Sequence, residues 1–253
     1  MEQMTLFDIC RPMVSISKPV RLIELFAGYG SQAMALRNLG ADFEHYRVVE
    51  WDKYAMASYN AIHNTNFEPT DIRNVGGGQL GITDKDKYSY IMVYSFPCTD
   101  ISLAGRQAGM SKDSETRSAL LWEVERILKE LKELDQMPDI LLMENVTAIH
   151  NETNKKDFAI WLEFLNSLVY STYVQDLNAW DYGVAQSRDR TFAVSIYGEY
   201  NYHFPEPEEL RYCIEDYYED LTEEQALQLV VKSPKAKELL VRLDKEGKLE
   251  ETD

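Results

Sequence analysis

Tyr90-Ile91-Met92-Val93-Tyr94-Ser95-Phe96-Pro97-Cys98 runs five apolar residues into a proline and a cysteine, then opens onto Thr99-Asp100-Ile101-Ser102. A buried strand that ends this way holds one thiol at the carboxyl edge of a sheet, where open α/β sheets place their ligands. Such a thiol is either a nucleophile or a small core hydrophobe, since free cysteine is usually buried and inert. The surrounding chain has to choose between the two.

Upstream, Arg21-Leu22-Ile23-Glu24-Leu25-Phe26 reads as a short buried strand, and Ala27-Gly28-Tyr29-Gly30 as a tight turn into a helix carrying Ala33, Leu36 and Leu39. Gly40 ends that helix. A strand follows at Tyr46 to Glu50 and a helix from about Lys53 to His63. This β-α-β-α opening predicts a parallel sheet with helices on both faces. Gly76-Gly77-Gly78 reads as a flexible turn, and the aperiodic segment from Leu103 to Thr116 as a mobile loop beside the thiol. Leu120, Leu121, Val124, Ile127, Leu128 and Leu131 mark one face of a long helix that Pro138 closes off. A strand at Ile140 to Glu144, a helix through Phe158, Trp161, Leu165 and Leu168, and strands near Thr172–Leu177 and Arg190–Ile196 complete the pattern. It contains no internal repeat.

Composition bounds the class. With 253 residues, 45% of them hydrophobic, the chain has room for one large α/β domain plus a further segment, and no apolar run is long enough to cross a bilayer. No membrane association is expected. An acidic start without a basic-then-apolar pattern and three scattered cysteines point to a reducing cytoplasm. The net charge of −17 opposes broad electrostatic attachment to nucleic acid. Residues 201–253 hold 7 Lys and Arg against 15 Asp and Glu, so the acidity is concentrated at the end. Pro205-Glu206-Pro207 marks a boundary there, which divides the chain into an N-terminal arm (1–19), a main domain (20–204) and an acidic, mostly helical tail (205–253).

Gly28-Tyr29-Gly30-Ser31-Gln32-Ala33 fits a nucleotide-binding turn, where backbone must approach the ligand and a helix N-terminus points at it. Glu50 falls at the end of the second strand, with the spacing of an acid that accepts from ribose hydroxyls. Trp51 beside it either stacks on adenine or simply packs. Nicotinamide and flavin enzymes share this logic, so these residues alone imply an adenosine-bearing ligand. Glu144-Asn145-Val146 ends another buried strand, which puts Glu144 at the same sheet edge as Cys98. A carboxyl group there can grip a heterocycle while sulfur attacks it, or can face solvent. Arg188 and Arg190, two apart on an incipient strand, share a side and either clamp an anion or form structural ion pairs.

Glu24-Leu25-Phe26-Ala27-Gly28-Tyr29-Gly30, Glu50-Trp51-Asp52, Phe96-Pro97-Cys98, Glu144-Asn145-Val146 and the run from Asn178 to Arg190 occur in the order found in DNA (cytosine-5) methyltransferases, which residues 20 to 198 closely resemble. The resemblance implies a Rossmann-like α/β domain that uses S-adenosylmethionine, releases S-adenosylhomocysteine and needs no metal. It further implies that Phe26, Ala27, Gly28, Gly30, Glu50, Trp51, Asp71 and Pro97 bind the cofactor, with Asp71 reaching the adenine amine. By the same resemblance Cys98 is the nucleophile, Glu144 grips the cytosine edge, and Gln186 and Arg188 support the site and the flipped nucleotide of double-stranded DNA.

Three positions depart from the family pattern. Ser95 stands where glycine is usual, Thr99-Asp100-Ile101-Ser102 where glutamine-x-phenylalanine-serine is usual, and Ala185 where proline is usual. A long target-recognition region and the family's closing blocks are not seen after Arg190, and the residues there are acidic. The expectation is a restriction-modification or phage type of enzyme whose recognition region belongs to a second subunit docked on the tail. The alternatives are a shortened family member, a catalytically silent homologue that binds cofactor or a protein partner, and a nicotinamide oxidoreductase, the last leaving Phe96-Pro97-Cys98 and Glu144-Asn145-Val146 without a purpose.

Overall fold

The computed structural model describes residues 11–99, 101, 109–112 and 116–247. Strand β1 (Val20–Leu25) lies inside a six-stranded sheet flanked by β2 (Phe43–Val49) and β3 (Ser89–Tyr94). Beyond β3 come β4 (Ile140–Val146), β6 (Asp189–Tyr197) and β5 (Tyr170–Asn178), giving the order β2-β1-β3-β4-β6-β5. The first four spatial neighbours are parallel, but β6 runs antiparallel to both β4 and β5. The parallel sheet expected from the β-α-β-α opening holds for β1 to β4, and the reversal is confined to β6: only the 3-10 turn Ala179–Asp181 and a short loop separate β5 from β6, too little chain for a crossover helix.

Helices cover both faces as alternation predicts. On one face Ile23, Leu25, Tyr90, Met92, Tyr94, Leu141 and Met143 meet α4 (Leu121–Glu133) and α5 (Lys155–Ser167) through Val124, Leu128, Phe158 and Trp161. On the other, Val20, Leu22, Ile91 and Val93 pack with Ala33 of α1 (Ser31–Asn38), and Val48 packs with Met56 and Tyr59 of α2 (Lys53–His63). The α2 boundaries coincide with the expected ones because Asp52 caps the first turn, its carboxylate accepting from the Tyr54 and Ala55 amides.

Two expectations shift. Strand β2 starts at Phe43 rather than Tyr46, because its register against β1 slips between Leu22 and Ile23 and hides the alternation around Tyr46. The glycine run is not a free turn: Gly77–Leu80 forms a short helix, α3. Its Gly77 amide donates to Glu130 Oε2 of α4 at 2.6 Å, and a Cβ on Gly77 would stand 3.0 Å from the Ile127 carbonyl. Glycine serves close packing here rather than flexibility. Most of the loop expected between Leu103 and Thr116 lies outside the described residues.

The chain divides into two compact units, Met1–Leu210 and Arg211–Asp253. The second contains a 3-10 turn at Ile214–Tyr217 and helices α6 (Glu223–Leu229) and α7 (Pro234–Lys245). Thr222 and Ser233 cap the two helices, accepting from the Gln225 and Ala236 amides. Among the described residues no helix is long and apolar enough to cross a membrane.

Candidate active site

The carboxyl ends of β1, β2, β3 and β4 bring four of the quoted blocks to one edge of the sheet. After β1 the chain turns through Phe26 (φ 60°), Gly28 (φ 57°) and Gly30 (φ 83°), and a left-handed phenylalanine between strand and helix is costly enough to need outside support. That support is hydrogen bonding of the turn's amides to backbone and to the Glu50 carboxylate. The Ala27 amide donates to the Val49 carbonyl at 3.1 Å, the Gly28 amide to Glu50 Oε2 at 2.9 Å, and the Gly30 amide to the Ala27 carbonyl at 2.9 Å.

Glu50 is buried and holds more than this turn. Its Oε1 accepts from the Asp52 amide at 2.8 Å, and its own carbonyl accepts from the Thr70 amide at 2.7 Å, which carries the chain to Asp71. Asp71 is gripped at both oxygens by Arg73, at 2.5 to 3.1 Å, and this hydrogen bonding keeps its carboxyl below the usual range. Trp51 stands 62% exposed beside Glu50.

A cavity of about 400 Å³ opens among these residues, lined by Phe26, Glu50, Trp51, Asp71, Ser95 and Pro97, with Arg73 and Leu120 at its sides. A Cβ built on Gly28 would meet nothing within 4 Å, so open space adjoins the turn. The lining offers a flat aromatic face, a carboxyl group with spare lone pairs and a second acid farther along, a donor and acceptor set that fits a nucleoside with ribose and amine groups to satisfy. Among the described residues no group of three or more His, Cys, Asp or Glu is placed to hold a metal ion.

Beyond β3, three successive carbonyls of the cysteine loop are each bonded. Asn145 Nδ2 donates to the Phe96 carbonyl at 3.1 Å, Ser118 Oγ to the Pro97 carbonyl at 2.7 Å, and the Ile101 amide to the Cys98 carbonyl at 3.1 Å. Asn145 and Ser118 are buried, whereas Cys98 remains partly accessible. Glu144 follows Met143, the register partner of Tyr94, so it lies on the strand next to the one that leads to Cys98. Its Oε1 is 3.0 Å from Arg190 Nε.

Arg188 and Arg190 do not share the strand face expected of them. Strand β6 begins at Asp189, so Arg188 sits in the preceding loop, exposed, its amide donating to Asn178 Oδ1 at 3.0 Å. Gln186 is exposed in the same loop. Arg190 alone reaches Glu144, a partnership that pairwise spacing could not reveal because it depends on the β4–β6 register. Ser118 carried no signal in the sequence, and Asn145 only that of sitting inside a quoted block.

The sequence profile of the C-5 cytosine-specific DNA methylase family matches residues 20–250. The chain is 32% identical to type II methyltransferase M2.ScrFI of Lactococcus lactis subsp. cremoris, covering 79% of the chain and 68% of that protein. It is 31% identical to orphan methyltransferase M.SssI of Spiroplasma monobiae (73% and 61%) and 33% identical to type II methyltransferase M.HhaI of Haemophilus parahaemolyticus (78% and 56%). The chain thus spans a little over half to two thirds of these relatives' lengths. In fold it is similar to the Entamoeba histolytica methyltransferase EhMeth, with a TM-score of 0.65 at 16% identity over 82% of this chain and 62% of that one. With the profile covering the sheet, the glycine turn and the cysteine and glutamate loops together, the chain belongs to the C-5 cytosine-specific DNA methylase family.

Proposed function

We propose that this chain transfers a methyl group to carbon 5 of cytosine in double-stranded DNA, using S-adenosylmethionine held by Phe26, Ala27, Gly28, Gly30, Glu50, Trp51, Asp71 and Pro97. The observation that carries the reading is the shared edge: the Pro97–Cys98 loop and Glu144 end neighbouring strands, and Pro97 also lines the cavity. When bound, the cofactor supplies an electrophilic methyl group. The protein's own work is to hold the target base out of the stack, where its ring atoms become reachable. Cys98, as thiolate, adds to carbon 6 and so makes carbon 5 electron-rich. Glu144, aimed by Arg190, stabilises the ring nitrogen, while Gln186 and Arg188 contact the extruded nucleotide. Once carbon 5 carries the methyl group, its proton passes to water, the C–H electron pair re-forms the 5,6 double bond, and the C6–S bond breaks to return Cys98 as thiolate.

Recognition of the DNA sequence is assigned to protein outside the main domain, carried by a second subunit. Charge supports this: residues 201–253 are acidic where a DNA-contacting region needs cations. Helices α6 and α7 bury no residue of their own, and Leu227, Leu229, Leu239 and Leu240 give them apolar surface for a protein partner. The type II and orphan methyltransferases among the relatives support a restriction-modification setting, and a cytoplasmic, bacterial or phage-encoded enzyme is part of the same proposal. Methylation of mixed-sequence DNA, with and without a candidate partner, tests the whole reading. Transfer without covalent trapping on 5-fluorocytosine DNA refutes the chemistry, and sequence-specific methylation by the chain alone refutes the second subunit.

A further inference from the structure

Behind the glycine turn lies a line of titratable side chains that the proposed chemistry does not use. Glu24, the penultimate residue of β1, is 1% exposed, and Tyr59 of α2 donates its hydroxyl to Glu24 Oε2 at 2.5 Å. His45 Nδ1 of β2 stands 2.6 Å from the same Tyr59 oxygen. The His63 ring lies 4.8 Å from that of His45, and its Nε2 is 2.9 Å from the Tyr29 carbonyl. A carbonyl only accepts, so His63 Nε2–H donates to the middle residue of the turn. The approach is close: a Cβ on Gly30 would stand 2.4 Å from His63 Nε2 and 2.6 Å from the Tyr59 ring. The turn, the tyrosine and the histidine are therefore one packed unit.

We propose that Glu24, Tyr59, His45 and His63 position the cofactor turn, and that a proton held on the Glu24–Tyr59–His45 line makes cofactor affinity depend on pH near neutrality. The inference rests on the cofactor reading above. Two bonding directions satisfy the line. With Glu24 protonated, its O–H donates to Tyr59 and the Tyr59 O–H donates to His45 Nδ1. With Glu24 ionised, Tyr59 donates to the carboxylate and His45 Nδ1–H donates to Tyr59, so one proton leaves and every bond in the line reverses.

The groups facing this line set where it titrates. Burial pushes the Glu24 carboxyl up to about 7, against the hydroxyl of Tyr59, which favours its charged form. Burial, with His63 and Arg37 nearby, pushes His45 down, so His45 stays neutral as Glu24 ionises. An ionised Glu24, already shut off from solvent and with its Oε1 unpartnered, needs its surroundings to relax. A ligand that clamps the turn onto Tyr59 restricts that relaxation and so favours the neutral form. Binding then takes up a proton, and affinity falls as pH rises. The bond from His63 Nε2–H to the Tyr29 carbonyl holds the turn from the other side.

S-Adenosylhomocysteine is titrated calorimetrically into the full chain at pH 6 and pH 8, in buffers of different ionisation enthalpy. The parent should bind about 3- to 10-fold more weakly at pH 8 and take up a fraction of a proton. Glu24→Gln and Tyr59→Phe should lose both effects while their circular dichroism stays native. His63→Ala should weaken binding at both pH values with the pH dependence intact, and His63→Gln, which restores an N–H donor, should recover most of the affinity. Equal affinity at both pH values in the parent, or an unaltered pH dependence in Glu24→Gln, overturns the proposal. If the parent binds no S-adenosylhomocysteine at either pH, the cofactor reading fails instead. Nuclear magnetic resonance then decides the coupling, since Gly28 and Gly30 amide signals that do not titrate with the Glu24 carboxyl refute it.

Discussion

Arg190 Nε lies 3.0 Å from Glu144 Oε1, across the antiparallel junction where β6 meets β4. Val146 faces Arg190 and Glu144 faces Phe192 in the register, so the pair is a diagonal contact on one face of the sheet. Only the reversal of β6 creates it.

Because Arg190 aims Glu144, losing either side chain should slow methyl transfer without weakening the cofactor site. Glu144→Gln is expected to reduce the rate about 10²- to 10⁴-fold, the usual worth of a positioned acid or base. Arg190→Ala should give a smaller loss, partly recovered in Arg190→Lys. Single-turnover transfer to cytosine-containing DNA, with cofactor binding measured alongside, checks all three, and a Glu144→Gln enzyme of parental rate sinks the assignment.

Cys98→Ser should abolish both methyl transfer and covalent trapping on DNA carrying 5-fluorocytosine, where no carbon 5 proton is available for release. The thiolate is the attacking species, and an alcohol ionises far less readily near neutral pH. Denaturing electrophoresis of the trapped complex gives the readout. A trapped adduct in the serine variant contradicts the covalent mechanism.

Trp51 is exposed on the rim of the cavity and adds little to the core, so its removal should act on affinity rather than on folding. Stacking of a base on an aromatic ring is worth about 1–3 kcal/mol, so Trp51→Ala should weaken S-adenosylhomocysteine by roughly ten-fold or more. Isothermal titration calorimetry decides this. Preferential binding of a nicotinamide cofactor would reverse the reading of the pocket.

Asn145 clamps the cysteine loop from inside the protein. Asn145→Ala leaves the Phe96 carbonyl without its donor, a buried loss of about 1–3 kcal/mol, which urea unfolding should register. Ser118→Ala removes the neighbouring bond to Pro97 and should change the alkylation rate of Cys98 by iodoacetamide more than it changes stability. Identical alkylation kinetics in parent and variant would show that Ser118 does not position the loop.

The buried Glu24 also sets a sign for stability against pH. Its folded value of about 7 lies above the 4.5 of an exposed glutamate, so the folded state binds the proton more tightly. Its contribution is fully present below about pH 4.5 and is lost as pH rises to about 7, an effect of roughly 3 kcal/mol. Urea unfolding of the parent and of Glu24→Gln at pH 5 and pH 8 should show the parent losing stability relative to the variant at the higher pH. A constant difference between the two proteins contradicts the shift.

Much of this protein is written locally. Apolar runs of strand length at Tyr90–Tyr94 and Ile140–Met143, the mostly apolar Val20–Leu25, the Asp52 cap before α2, and the glycines that permit left-handed φ at positions 28 and 30 each act within a few residues, so the sequence alone determines the alternating fold and the sheet edge where Cys98 and Glu144 lie. What it could not determine depends on residues far apart in the chain. The direction of β6 hangs on the short β5–β6 connection and on pairing with β4, and with it comes the choice of Arg190 over Arg188 as the partner of Glu144. The close packing of Gly77 needs α4, Ser118 gains its meaning from the Pro97 carbonyl, and the Glu24–Tyr59–His45 line joins three separate elements. Hydrogen bonds and ion pairs of that kind are fixed by register and crossing geometry, which exist only once the sheet and its helices have assembled.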